Sequence, residues 1–239
     1  GKAVVERILA CGRDYYRPKV PFIPVEFAVA AYRFGHSMVP QEMRVQERGD
    51  RHEIFGPVLG NGFSPLSDHD AEVEWGVLFE LPGDSHFERA DRLDTLLASD
   101  LLELPFIPTG DVRSLATRNL LRSNSFLLPG GDKVAKFMGR PEREIADVMK
   151  CVEHLSEGRI REGAPLWLYL LAEGEVVGRE TEEGKFDKGE GLGPVGARIV
   201  GEVLIGLLEL DERSYLGSNR NFVPNPDYDT VGKILASTQ

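Results

Sequence analysis

The run from Pro194 to Leu210 constrains this chain most. It carries two apolar rows, Val195/Ile199/Val203/Leu207 and Val200/Leu204/Leu208, each recurring every four residues. Only a helix puts such rows side by side, and two adjacent rows make an apolar face too broad for a surface helix. The spacing therefore predicts a well-buried helix over 194–210, opened by Pro194 at a first-turn position. Segment 143–157 has the same period in Ile145, Val148, Met149, Val152 and Leu155, with Gly158 as a stop. Segment 24–39 opens on Pro24, places Glu26 near the positive helix end, and repeats Phe27, Ala31, Phe34 and Met38. Shorter helices are predicted at 2–11, 72–80, 114–124, 131–138, 165–172 and 228–236. Strand signals are sparse: Met43–Gln46 and Glu53–Phe55 form a candidate hairpin around Gly49-Asp50. Pro and Gly punctuate long connections at 56–70, 81–92 and 102–111. The charged, Gly-rich stretch 178–191 reads as a mobile surface loop. The expected fold is mainly α, an irregular multi-helix domain rather than a bundle.

At 239 residues and 41% hydrophobic, the chain affords a sizeable core. Its net charge of −11 argues against general binding to nucleic acid or an anionic membrane. The longest apolar run, Leu166 to Ala172, is far too short to span a bilayer. Cys11 and Cys151 both fall in helix-like apolar patterns and are expected to be buried free thiols. No basic, apolar, small-residue signal pattern follows Gly1, and the compartment is not read from this sequence. The chain starts directly in an amphipathic segment carrying Val4, Val5, Ile8 and Leu9, so upstream sequence is expected.

Chemistry concentrates in Phe22 to Met38. On a helix, Arg33 and His36 share one face, while Phe27, Ala31 and Phe34 point elsewhere. Gly35 sits mid-helix at a cost of about 1 kcal/mol relative to Ala, which makes sense where something flat approaches the backbone. A histidine beside such a gap, with an arginine one turn back, can bind a planar anionic metal cofactor such as haem.

The stretch Pro24-Val25-Glu26-Phe27 with Ala31-Tyr32-Arg33-Phe34-Gly35-His36-Ser37-Met38-Val39 resembles the proximal-histidine helix of the animal haem peroxidase superfamily, closest to its bacterial and peroxinectin-like members. The resemblance implies that His36 is the axial iron ligand and that Arg33 lies by the haem edge. A second segment, Leu115-Ala116-Thr117-Arg118-Asn119-Leu120-Leu121-Arg122-Ser123, resembles a later helix of that family and ends at Leu128-Pro129-Gly130. By resemblance Asn119 accepts the second N–H of the proximal histidine and Arg122 pairs with a haem propionate. Anchoring the second nitrogen fixes tautomer and ring orientation. A third segment, Leu192-Gly193-Pro194 to Glu202, resembles a late core helix of the same family.

The resemblance spans nearly the whole chain and implies a haem-dependent peroxidase, an oxidoreductase using hydrogen peroxide to oxidise a donor, with a role in the response to oxidative stress. It implies haem iron as cofactor, and peroxide and a reducing substrate as partners. It is compatible with a secreted or extracellular location. Two features depart from the pattern: Asn124 replaces an arginine found in many members, and the acidic stretch 178–191 is longer. The family's distal histidine and catalytic arginine lie upstream of the proximal motif. Only 35 residues precede His36, and none match. Residues 1–239 are thus expected to be the C-terminal, proximal-haem part of a single domain, completed by a missing N-terminal half. Phe27, Phe34 and Met38 are expected to contribute to an apolar face that half would cover. A fatty-acid dioxygenase of the same superfamily would carry a tyrosine three residues before the histidine, where Arg33 stands; Tyr32 is one off. An adhesion or scaffold module without haem chemistry is the non-enzyme alternative.

Asp68-His69-Asp70 and Asp84-Ser85-His86 with Glu88 contain metal-ligand residue types without a metal-site spacing and read as solvated surface. His52 and His154 read as exposed. Arg48-Gly49-Asp50 reads as a turn.

Overall fold

The structure is a computed structural model that describes residues 1–63, 65–66, 69–83 and 86–238. Asp68, Asp84 and Ser85 lie outside the described residues. The chain is mainly helical. In order, it runs α1 (Lys2–Cys11), α2 (Val25–Val29), a 3-10 helix (Ala31–Met38), β1 (Glu42–Arg44), β2 (Arg51–Glu53), a short 3-10 turn (His69–Ala71), α3 (Trp75–Leu78) and α4 (Ser99–Leu102). Then follow α5 (Leu115–Ser125), α6 (Gly131–Phe137), α7 (Glu142–Leu155), α8 (Leu166–Val176), β3 (Arg179–Glu182), β4 (Lys185–Asp187), α9 (Pro194–Leu210), α10 (Tyr215–Ser218) and α11 (Val231–Ala236).

The core forms around α8. Its residues Leu166, Trp167, Tyr169, Leu170, Leu171, Ala172 and Glu173 are all buried, so the helix is covered on nearly every side, with Glu175 alone exposed. It packs against α5, α6, α7, α9 and the 3-10 helix. The helix expected over 165–172 continues in the structure to Val176, with Glu173 buried on it and partnered inside the protein. Its carboxylate accepts the Val195 N–H at 3.0 Å and the Gly196 N–H at 3.1 Å. Pro194 has no N–H and Gly193 no side chain, so α9 has no cap of its own. Glu173 satisfies its orphan donors from a neighbouring helix. A Cβ at Gly193 would sit 2.4 Å from Glu173 Cγ, so only glycine admits this cap.

Buried Glu202, on α9, does the reverse. It accepts the backbone N–H groups of Asp14, Tyr15 and Tyr16 at 2.8–2.9 Å and ties the loop after α1 to α9.

Several expectations are corrected. The single helix over 24–39 is two elements broken at Ala30 (φ −124°, ψ −68°). No Pro or Gly causes the break. Ala30 and Ala31 are fully buried, so packing decides it. Stretch 178–191 is not a free loop: β3 and β4 pair as an antiparallel hairpin, Glu180 is buried, and Arg7 of α1 donates to it at 3.1 Å. Charged residues alone read as solvated; here one is paired. Helix 72–80 shrinks to α3, and α4 and α10 are short helices that periodicity does not resolve. The first hairpin forms, shifted toward the N-terminus, with Met43 opposite His52. Its turn exposes Arg48 and Asp50. Phe27 is buried rather than part of an open apolar face, and Phe34 and Met38 are half-buried against the core. Both cysteines are free, but Cys11 is exposed and Cys151 half-buried. His52 is half-buried and His154 exposed. His69 pairs with Glu72 at 2.9 Å, and Glu88 accepts from Arg51 at 2.7 Å. No helix among the described residues is long and apolar enough to cross a membrane.

Burial pushes the Glu173 acid up to about 7, against two backbone hydrogen bonds that favour the anion. The folded value lies above the ordinary 4.5, so this group's stabilising contribution is full below about 4.5 and is lost as pH rises through about 7. Glutamine is isosteric with the protonated acid. Glu173→Gln is expected to remove a loss of stability on the order of 3 kcal/mol between pH 4.5 and 8, measured as denaturation midpoints of both proteins across that range. Parallel pH profiles would show that Glu173 does not titrate there.

Candidate functional site

The break at Ala30 changes how the motif is displayed. In an α-helix Arg33 and His36 would stand about 300° apart around the axis; in a 3-10 helix, with three residues per turn, they eclipse. Tyr32 is then about 120° from Arg33. Its ring is mostly exposed and packs on Phe27 at a centroid distance of 5.1 Å. Arg33 Nε donates to the Ala28 carbonyl at 3.1 Å and bridges the break.

Helix α5 faces this turn. Ser114 caps it, accepting from Thr117 N–H. Asn119 is fully buried, and its Nδ2 lies 2.9 Å from Nδ1 of His36, across 83 residues of sequence. Composition and periodicity alone make Asn119 a surface helix residue; the structure buries it against the histidine. Arg122, one turn on, is half-buried, and Asn124 points to solvent. Among the described residues neither Arg33 nor Arg122 pairs with a carboxylate.

Burial first, then the charges of Arg33 and Arg122, push the His36 ring below its ordinary 6.5. The imidazole is therefore neutral at pH 7 and keeps a lone pair. Burial and Arg122 likewise push the Arg33 guanidinium down. Two cations beside a neutral histidine, without an acid partner, leave positive potential suited to an anion.

The amide orientation decides which ring nitrogen is free. With Nδ2 donating to Nδ1, the imidazole proton sits on Nε2. In the same slot, the amide turned by 180° accepts from Nδ1–H through Oδ1, and Nε2 is left unprotonated. Asn119 Oδ1 is buried without a hydrogen-bond partner in the first orientation. The turned amide gives that oxygen the Nδ1–H.

Gly35 lies between these groups. A Cβ there would meet nothing within 4 Å, so no contact inside the chain requires glycine. The space in front of it is open. Two neighbours have no role assigned to them by the motif reading. Ser123, one turn after Asn119, has a buried hydroxyl without a partner. Trp167, on α8, donates its indole N–H to the Arg33 carbonyl at 3.0 Å. The clue to Trp167 is general: a buried indole N–H needs an acceptor.

No family model and no curated protein matches the sequence. Among solved structures, the chain is similar to peroxidase A from Dictyostelium discoideum, at 19% identity and a TM-score of 0.52. The match covers 89% of this chain and 41% of that one. At this identity the likeness is one of fold: the chain has a peroxidase-like, mainly helical fold and spans about two fifths of that structure's length.

An acid in place of the amide reports directly on the contact. Asn119→Asp is expected to raise the His36 pKa, because an opposite charge within hydrogen-bond distance favours the imidazolium. NMR titration of the ring protons measures it. An unmoved titration would mean that residue 119 does not touch the ring.

Proposed function

We propose that this chain forms the proximal side of a haem peroxidase-type domain, an oxidoreductase that uses hydrogen peroxide to oxidise a donor. The contact between His36 and Asn119 carries the reading: two motifs 83 residues apart in the sequence meet side chain to side chain at 2.9 Å. The residues present fit a haem. His36 is held neutral, Asn119 offers a buried oxygen with no other partner, the Gly35 face is open, and two guanidiniums have no carboxylate of their own.

In this reading His36 Nε2 would ligate the haem iron. Asn119 Oδ1 takes the Nδ1 proton and sets the ring's tautomer and tilt. An amide is a weaker acceptor than a carboxylate, so the imidazole stays less anionic than with an Asp partner. Arg33 and Arg122 meet the propionates through charge-assisted bonds. The haem, when bound, supplies the redox chemistry with peroxide.

Peroxide cleavage also needs a base to move a proton and a cation beside the departing oxygen. We assign those groups to a part of the domain outside residues 1–239. The partial coverage of the peroxidase fold supports this assignment. The dioxygenase reading is disfavoured because Arg33 occupies the position that needs a tyrosine, and Tyr32 turns away onto Phe27.

Haem titration followed by absorption and electron paramagnetic resonance is the test. The chain is expected to bind haem with a histidine-ligated spectrum, weakly and with little peroxide turnover on its own, since much of the enclosing surface lies elsewhere. His36→Ala is expected to abolish the axial-ligand signature. An identical spectrum in the variant would overturn the ligand role, and rapid turnover by residues 1–239 would overturn the assignment of the distal groups.

A further inference from the structure

We propose that Trp167 is a positioning residue for His36, acting through the backbone of the turn that carries it. The inference rests on the reading of His36 as the proximal ligand. Trp167 is buried at the second position of α8, and its Nε1–H donates to the Arg33 carbonyl at 3.0 Å across 134 residues of sequence. By the i→i+3 pattern of a 3-10 helix, that carbonyl is also the acceptor for the backbone N–H of His36. The indole thus grips the peptide directly beneath the histidine.

The grip matters because the segment has an alternative. Nothing in Ala31–Met38 except Gly35 opposes an α-helix, and its apolar residues recur with an α-helical spacing. Runs of 3-10 helix beyond three or four residues are uncommon, and this one spans eight. Relaxation to α geometry turns residue 36 by about 60° relative to residue 33. A ring held at 2.9 Å from Asn119 would leave its partner under such a rotation. Among the described residues three tethers at Arg33 oppose it: Arg33 Nε on the Ala28 carbonyl, the Arg33 N–H on the Ala30 carbonyl at 3.0 Å, and the indole. The first two are local to the segment. Trp167 alone among these tethers ties the turn to the central helix, so α8 sets where His36 stands.

NMR of residues 1–239 without haem, at one fixed pH, tests this through the nuclear Overhauser contact between the His36 ring and the Asn119 side-chain amide, using Trp167→Phe, which keeps an aromatic ring and loses the N–H. The contact is expected in the unmodified chain and is expected to be lost in Trp167→Phe. Leu170→Ala is the control. Leu170 is buried on the same helix, so this variant is expected to lose stability and keep the contact. A Trp167→Phe protein that loses stability but keeps the contact would reduce Trp167 to core packing and overturn the proposal. Loss of the contact in both variants would also overturn it, as general loosening. If Trp167→Phe does not fold, the unmodified protein decides: the indole N–H is expected to exchange slowly with solvent, as a hydrogen-bonded donor does, and fast exchange sinks the idea. Because no haem is added, failure of the ligand reading shows separately in the haem titration, and failure of the positioning role shows here.

Discussion

Helix α8 is buried on nearly every side, with Glu175 alone of its residues exposed, and the rest of the molecule is arranged around that fact. A helix apolar on most sides must be covered on most sides, so α5, α6, α7, α9 and the 3-10 segment are brought to it. Two of the polar groups that this helix carries into the core, one near each end, meet backbone partners on neighbouring elements. Trp167 presents an N–H to the turn carrying His36, and Glu173 presents a carboxylate to the uncapped start of α9. Glu173 satisfies backbone N–H groups that would otherwise be buried unpaired, at a cost of about 1–3 kcal/mol apiece, and the Arg33 carbonyl gives the buried indole N–H its acceptor. The central helix therefore orients its neighbours with hydrogen bonds as well as filling the space between them.

The electrostatics of the candidate site follow from the same packing. Burying Asn119 on α5 against the 3-10 helix puts Arg33 and Arg122 around one imidazole. In water these charges would be screened; partly buried, they keep the ring neutral and leave a positive field over the open face at Gly35. The protein as a whole is acidic, at −11, so this local field opposes the global charge. Net charge describes the molecule's dealings with extended anions, and says little about a small site held by two arginines.

Legibility in the sequence varied with the kind of force involved. Where a helix has an apolar face, periodicity located it closely: α9 spans the residues expected and α7 nearly so. Where a polar group is buried with a partner from elsewhere, composition misled. Glu173 lies just past the helix expected over 165–172 and Glu180 inside the stretch expected as a surface loop, and the groups that satisfy them are 22 and 173 residues away. Cys11, on an apolar pattern, lies in the open, and Phe27, expected on an open face, lies in the core. Asn119 was legible only through the family resemblance, since nothing in its own neighbourhood marks it as buried.

By itself, then, the sequence determined the helical character of the chain, the position of its longer helices and the two segments that carry His36 and Asn119. These depend on residue spacing, which is local. The tertiary structure decided that 24–39 breaks at Ala30, that its second half winds as a 3-10 helix, and that the histidine meets the asparagine. Those outcomes depend on which buried donors and acceptors remain to be paired once the core has closed around α8, and such pairing is settled by neighbours in space rather than in sequence.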